Sequence, residues 1–177
     1  MIYNQREVNA QNVINIAHMM MTAARTAPKG KGIDVIEIAL VEGDDIKRLS
    51  DKMFELAAEL GFKFFLRDAE NILQAQALVI MGTREQVQGL NCGYCGFARC
   101  VDRSAGVPCA INATDVGIAI GSACSVAADM RVDTRVMFSA GLAAQRLGWL
   151  DEGVTQTYAI AVSASSKNPF FDRKPKQ

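Results

Sequence analysis

Four of the chain's five cysteines fall between Cys92 and Cys109. The segment reads GLNCGYCGFARCVDRSAGVPCA, so Cys92, Cys95 and Cys100 have the spacing C-x2-C-x4-C, and Cys109 follows after eight residues. Two cysteines separated by two residues can hold one metal centre from a single turn of backbone. A third a few positions on reaches the same centre without help from the rest of the fold. Gly93 and Gly96 each follow a cysteine, where glycine permits the positive φ of a tight wrap and lets N–H groups approach sulfur closely. Four thiolates around a cluster leave net negative charge, and Arg99 and Arg103 are near enough in sequence to offset it. The spacing points to an iron–sulfur cluster on Cys92, Cys95, Cys100 and Cys109, with reactive or merely structural thiols as one alternative. Zinc is the alternative metal, although zinc ribbons generally use two separated knuckles and this chain has one knuckle and two single cysteines. Cys124 stands apart, in a helical pattern that suits core packing, and is the reserve candidate for the fourth ligand.

Little else in the sequence resembles a catalytic set. The one histidine, His18, falls inside a helical pattern and reads as a surface or half-buried residue, not a base for a nucleophile. Asp115 and Asp133 flank a small-residue helix, where helix capping is the default role. Arg25, Lys29 and Lys31 surround a proline- and glycine-containing turn, and Arg173 lies in the basic tail. Such a turn can grip a phosphate through side chains and N–H groups, or simply be a solvated loop.

The rest of the chain must position these groups. At 177 residues, half of them hydrophobic and 21% charged, the chain has globular composition and suits one domain, residues 1–177. Lys plus Arg equals Asp plus Glu at 19 each, which argues against a nucleic-acid or acidic-membrane binder. No basic segment followed by an apolar run opens the sequence, and the apolar stretches Ile33–Val41 and Ala77–Met81 are too short to span a bilayer. A cytoplasmic protein is expected. In a reducing compartment, cysteines serve metals or redox chemistry more often than structural disulfides.

Apolar residues Val13, Ala17, Met20 and Ala24 recur at helical spacing, which predicts a helix over about 9–24, ended by Pro28, Gly30 and Gly32. Ile33–Val41 reads as an interior strand. Gly43-Asp44 opens a helix with the stripe Ile46, Leu49, Met53, Phe54, Ala57 and Leu60, stopped by Gly61. A short helix at 68–74 leads to the strand Ala77–Met81, then to the cysteine loop at about 89–110. A helix over 112–130 follows, in which Ala113, Gly117, Gly121 and Ser125 leave one face nearly free of side chains, as a close contact between elements, or a cofactor lying on that face, would require. A helix over about 135–147 and a strand at 157–163 complete the pattern. The expected class is α+β, a small central sheet covered by helices with a cysteine-rich loop inserted.

CGYCGFARC resembles the C-G-x-C-G-x-x-x-C motif of four-iron domains in the iron–sulfur subunit of Rnf electron-transport complexes and in carbon monoxide dehydrogenase/acetyl-CoA synthase corrinoid proteins. In those domains the fourth cysteine lies further downstream and precedes a proline, whereas Cys109 follows Pro108. TAARTAPKGKGIDVIEIALVEGDDIKRLSDKM, NATDVGIAIGSACSVAADMRVDTR and AVSASSKNPFFDRK are similar to successive parts of nitroreductase-like flavoproteins. Taken whole, the chain is identified as a member of the uncharacterised prokaryotic proteins described as containing a ferredoxin domain. That resemblance implies a nitroreductase-like fold and a homodimer. It also raises FMN as a cofactor, with Arg25, Lys29, Lys31 and Arg173 as the basic residues nearest the family's phosphate-binding places. The family's N-terminal arginine pair and turn asparagine are missing. The expected activity is iron–sulfur electron transfer, with a flavin-dependent oxidoreductase as an extension and a redox partner protein as the counterpart. The alternative is a non-enzymatic sensor or structural protein with a metal-stabilised loop.

Overall fold

The computed structural model describes residues 1–171, and Arg173 with the rest of the basic tail lies outside them. Helix α1 spans Gln5–Thr26, several residues longer at its start than the apolar stripe predicts. The extension is polar and is held by Asn4, whose side chain accepts the N–H of Arg6 at 3.0 Å. After a single 3-10 turn at Gly30–Gly32 come β1 (Ile36–Glu42), α2 (Asp44–Leu60), α3 (Phe64–Ile72) and β2 (Ala77–Arg84). Gly61 ends α2 in the left-handed conformation at φ 73°, as a helix-terminating glycine should. Beyond the cysteine loop, α4 covers Ala110–Asp129, β3 Asp133–Met137, α5 Phe138–Arg146 and β4 Val154–Ser163.

The four strands form one antiparallel sheet in the order β1-β2-β4-β3. Alternation along the inner strands sends side chains to two separate cores. Leu78, Ile80, Ala159 and Ala161 meet α2, α3 and α5 on one face. Ala77, Val79, Met81, Ile160 and Val162 meet α1 and α4 on the other. The chain is thus a three-layer α+β structure, with β2 buried along nearly its whole length.

Two features depart from the sequence reading. The segment expected as a helix from about Arg135 begins instead as strand β3, and α5 starts only at Phe138. This strand is a five-residue, half-exposed edge with little alternation of its own; pairing with β4 from Asp133↔Ser163 to Met137↔Ala159 holds it. The small-residue stripe on α4 also closes no contact at its glycines among the described residues. Helix α4 buries Val116, Ala119, Ala123 and Ala127, while a side chain at Gly117 or Gly121 would meet nothing within 4 Å. By length and composition α4 could cross a membrane, but here it packs on α1.

The closest approach of a helix to the sheet is at Gly141. A Cβ there would lie 2.2 Å from the Thr157 carbonyl oxygen and 2.4 Å from the Tyr158 Cα. Backbone cannot yield as a flexible side chain can, so Gly141→Ala must push α5 off β4. The expected loss is about 1–3 kcal/mol of stability, read as a lower midpoint in urea denaturation; an unchanged midpoint would contradict the close contact.

Candidate metal centre

The chain leaves the sheet at Arg84 and enters α4 at Ala110; the residues between carry the cysteine motif. Positive φ occurs at Gly89, Asn91, Gly93, Gly96 and Gly106, so the segment folds by tight turns. Gly93 (φ 74°) and Gly96 (φ 89°) are the glycines that follow Cys92 and Cys95, and the Gly96 N–H donates to the Gly93 carbonyl at 2.9 Å. The knuckle is thus a compact turn of the expected kind. Asn91 then closes the wrap. Its side-chain oxygen accepts the Cys100 N–H at 2.8 Å, and its own N–H donates to the Cys100 Sγ at 3.2 Å. The residue before Cys92 is thereby clasped to the third cysteine.

Cys109 is at the N-cap of α4 and is buried. Burial pushes its thiol up, but the N–H groups of Gln88, Asn112 and Ile111 and the charge of Arg103 outweigh this and hold it below the usual thiol range. Cys124 differs in every respect. It is half-buried on α4, burial pushes its thiol up against a hydrogen bond with Thr134, and it lies about 22 Å along the helix from Cys109 at 1.5 Å per residue. All five cysteines are free thiols. Among the described residues, no three Cys, His, Asp or Glu side chains are gathered into a finished cage. The wrap is formed while the sulfurs remain apart.

Polar contacts pin this loop to the body, and sequence reading missed most of them. Gln88, buried, donates from Nε2 to the Asn112 Oδ1 at 2.9 Å, and Asn112 Nδ2 donates to the Gln86 carbonyl at 2.6 Å. Lys31 Nζ donates to the Gln88 carbonyl at 3.0 Å. Asp115 caps no helix: it is buried within α4, and both its oxygens accept the Gly30 N–H, at 3.1 and 3.0 Å. Only the polar types at Gln88 and Asn112, next to an apolar run, hinted at this buried network.

Arg25, Lys29 and Lys31 do meet at one corner, but their charges are largely engaged. Lys29 Nζ, its side chain only 5% exposed, donates to the carbonyls of Ala24, Arg25 and Ala27 and caps α1. Arg25 pairs with Asp34 at 2.8 Å and also donates to the Ile36 carbonyl. Burial would raise the Asp34 carboxyl, yet the Arg25 hydrogen bond and charge hold it below the usual range. With the Gly30 N–H given to Asp115, the turn offers an incoming phosphate little beyond the outer part of Arg25. A cavity of about 620 Å³ lies at the opposite end of α1 and is lined by Arg6, Asn9, Arg131, Ser165 and Ser166 among others. Neither arginine has an ion-pair partner among the described residues. His18 is an exposed residue of α1, and Asp133 accepts a hydrogen bond from Asn168 at 2.9 Å.

Solved structures place the architecture among nitroreductase-like flavoproteins. A nitroreductase with bound FMN from Bacteroides fragilis superposes with a TM-score of 0.63 at 12% identity, over 92% of this chain and 83% of that one. Another with bound FMN, from Desulfitobacterium hafniense, gives 0.59 at 14% identity over 94% and 92%. Within that fold class, the chain belongs to the family of uncharacterized proteins containing a ferredoxin domain, DUF2148, whose model matches residues 105–173. An uncharacterized protein of Archaeoglobus fulgidus is 40% identical over the full length of both chains. The family match includes Cys109, α4, β3, α5 and β4, and begins after the knuckle.

The Asp115–Gly30 contact joins α4 to the turn that carries Lys31. Asp115→Ala leaves the part-buried Gly30 N–H without its acceptor, at an expected cost of about 1 kcal/mol. Amide hydrogen exchange should speed up at residues 29–32 and 86–90 together; acceleration at the turn alone would mean that the loop is held independently.

Proposed function

We propose that the chain is an iron–sulfur redox protein in which Cys92, Cys95, Cys100 and Cys109 hold a 4Fe-4S cluster. The observation that carries this reading is the wrap of the cysteine loop: the Asn91 N–H donates to the Cys100 sulfur at 3.2 Å, and Cys109 closes the segment at the N-cap of α4. Such a donor favours thiolate and is among the determinants of a cluster's potential. Arg103, between Cys100 and Cys109, has a buried Nε without an acceptor among the described residues. Cys109 is the fourth ligand in this reading because it borders the loop, whereas Cys124 lies far along α4. The cluster, when bound, supplies one-electron transfer. Tyr94 and Val101, 78% and 83% exposed, flank the cysteines where a redox partner protein would meet them.

The test is anaerobic purification with iron and sulfide analysis and an absorption spectrum. Broad absorbance near 400 nm (roughly) that bleaches with dithionite is expected. Cys95→Ser and Cys109→Ser should lose the iron, while Cys124→Ser should keep it. A colourless protein with stoichiometric zinc would overturn the redox reading in favour of a structural or sensing loop.

A flavin is the second component. The fold supports it, and so does the pair of unpartnered arginines, Arg6 and Arg131, in a cavity able to receive a phosphate. FMN bound there adds resolved flavin bands to the same spectrum, and these should vanish in Arg6→Ala/Arg131→Ala; bands unaffected by both changes would remove the cavity from the reading. We also infer a homodimer, supported by the bare stripe at Gly117 and Gly121, which nothing among the described residues covers. Sedimentation equilibrium is expected to give twice the chain mass, and a monomer would discard this element.

A further inference from the structure

Strand β1 is an edge of the sheet and pairs only with β2. The Arg84 N–H donates to the Val35 carbonyl at 2.8 Å, which fixes the alternation of the ladder. Glu37, Ala39 and Val41 therefore turn their backbone groups to β2, while Ile36, Ile38, Leu40 and Glu42 turn theirs outward. The chain meets that outward demand at one end only: Asp34 accepts the Ile36 N–H at 3.2 Å, and Arg25 donates to the Ile36 carbonyl at 2.6 Å. The N–H and C=O groups of Ile38, Leu40 and Glu42 have no partner among the described residues. No lysine, proline or bulge protects this edge, and such a strand is a template for another.

The side chains beside the open ladder are apolar and half covered. Ile38, Leu40 and Met21 form an incompletely buried margin of the core on the α1 face. A cavity of about 400 Å³ along that margin is lined by His18, Met21, Thr22, Arg25 and Ile38, none of them a carboxylate. Arg25 spends only Nη1 on Asp34 and Ile36 and keeps its other nitrogens free among the described residues. At the far end of the strand, Glu42 is exposed and has no ion-pair partner among the described residues. The edge is thus positive at one end, negative at the other and apolar between, which makes it complementary to itself.

We propose that two copies of the chain pair edge to edge through β1, antiparallel about a two-fold axis, in the register that sets Leu40 opposite Leu40. Ile38 of each copy then lies opposite Glu42 of the other, and each opposed pair exchanges both backbone bonds. Registers centred on Ile38 or Ala39 would call on Ile36, whose groups are already taken. In the Leu40 register, Glu42 of one copy enters the cavity that holds His18 and Arg25 of the other. Helix α1 packs over both β1 and β2. With strands about 4.8 Å apart, the two α1 helices come to roughly 10 Å, an ordinary packing distance that covers Met21 and Ile38. The inference rests on the homodimer reading above and gives it a contact. The bare stripe of α4 offers no charge and no unpaired backbone group, whereas the edge of β1 offers both.

The experiment combines sedimentation equilibrium of the full chain with residue-resolved amide hydrogen exchange at high and low protein concentration. The amides of Ile38, Leu40 and Glu42 should exchange about tenfold more slowly in the paired protein than in the dilute one. Leu40→Pro removes an outward N–H and no bond to β2, so it should weaken the pair roughly tenfold or more while sparing the chain's own ladder. Glu42→Arg, which sets like charges together at the cavity, should weaken it as well. Gly117→Leu, where a side chain meets open space, should leave both the pair and the protection unchanged. A dimer that survives Leu40→Pro, with the three amides exchanging equally fast at both concentrations, overturns the proposal. Should Leu40→Pro fail to fold, the wild-type exchange and Glu42→Arg decide in its place. A dimer broken by Gly117→Leu and not by Glu42→Arg refutes the β1 contact alone, whereas a wild-type monomer at every concentration refutes the homodimer reading and this inference with it.

Discussion

Residues Ala77–Thr83 of β2 are buried on both faces of the sheet, and that single constraint organises most of the molecule. A strand without a solvated face needs helices on each side, and the chain supplies α2, α3 and α5 to one and α1 and α4 to the other. It also needs a place to leave. At Arg84 the strand ends between two carboxylates, Glu37 and Asp151, and the chain turns out into the segment that carries the cysteines. The return is through Cys109 into α4, the helix that roofs one face of the same strand. The cysteine loop is therefore anchored at both ends to the most rigid part of the core.

Between those anchors the loop has almost no apolar burial and is held by polar contacts. Lys31 reaches Gln88, Gln88 reaches Asn112, and Asp115 holds the turn on which Lys31 stands. Each of these groups is satisfied within the chain except two atoms, Gln88 Oε1 and Arg103 Nε, and the residues that carry them both bear on Cys109. Buried polar networks are usually complete. These two atoms are the exceptions. The three outer cysteines are wrapped by glycine turns and Asn91 without being drawn together, so the backbone carries the shape of the loop.

The sequence made the core helices legible because their apolar periods are long: Val13, Ala17, Met20 and Ala24 are all buried on α1, and Ile46, Leu49, Met53 and Ala57 on α2. Phe54, from the same predicted stripe, is 38% exposed, and Leu56 takes the buried place. Strand β3 was hidden because five half-exposed residues carry no periodic signal and depend on a partner strand distant in sequence. At the site, the cysteine spacing and the glycines were readable because the wrap is local. Asn112, Gln88 and Asp115 act across the fold, and nothing in their spacing announces a partner. Lys29 illustrates the opposite error: a basic residue in a glycine turn suggests anion binding, yet its ammonium is turned inward onto the carbonyls that end α1.

The two candidate redox features lie at opposite ends of one helix pair. Cys109 opens α4 and Arg131 follows its end, while the cavity that contains Arg131 also takes in the start of α1. Twenty helical residues at 1.5 Å each separate them by about 30 Å. A phosphate gripped by Arg6 and Arg131 is thus remote from the cysteines of its own chain. Electron exchange between a cluster and a flavin so placed would need the loop of one copy to approach the flavin of another, or a partner protein to carry the electron between them. Both routes pass through the exposed surface of the cysteine loop. The loop's outward residues, Tyr94 and Val101 among them, therefore matter to such a function as much as its cysteines do.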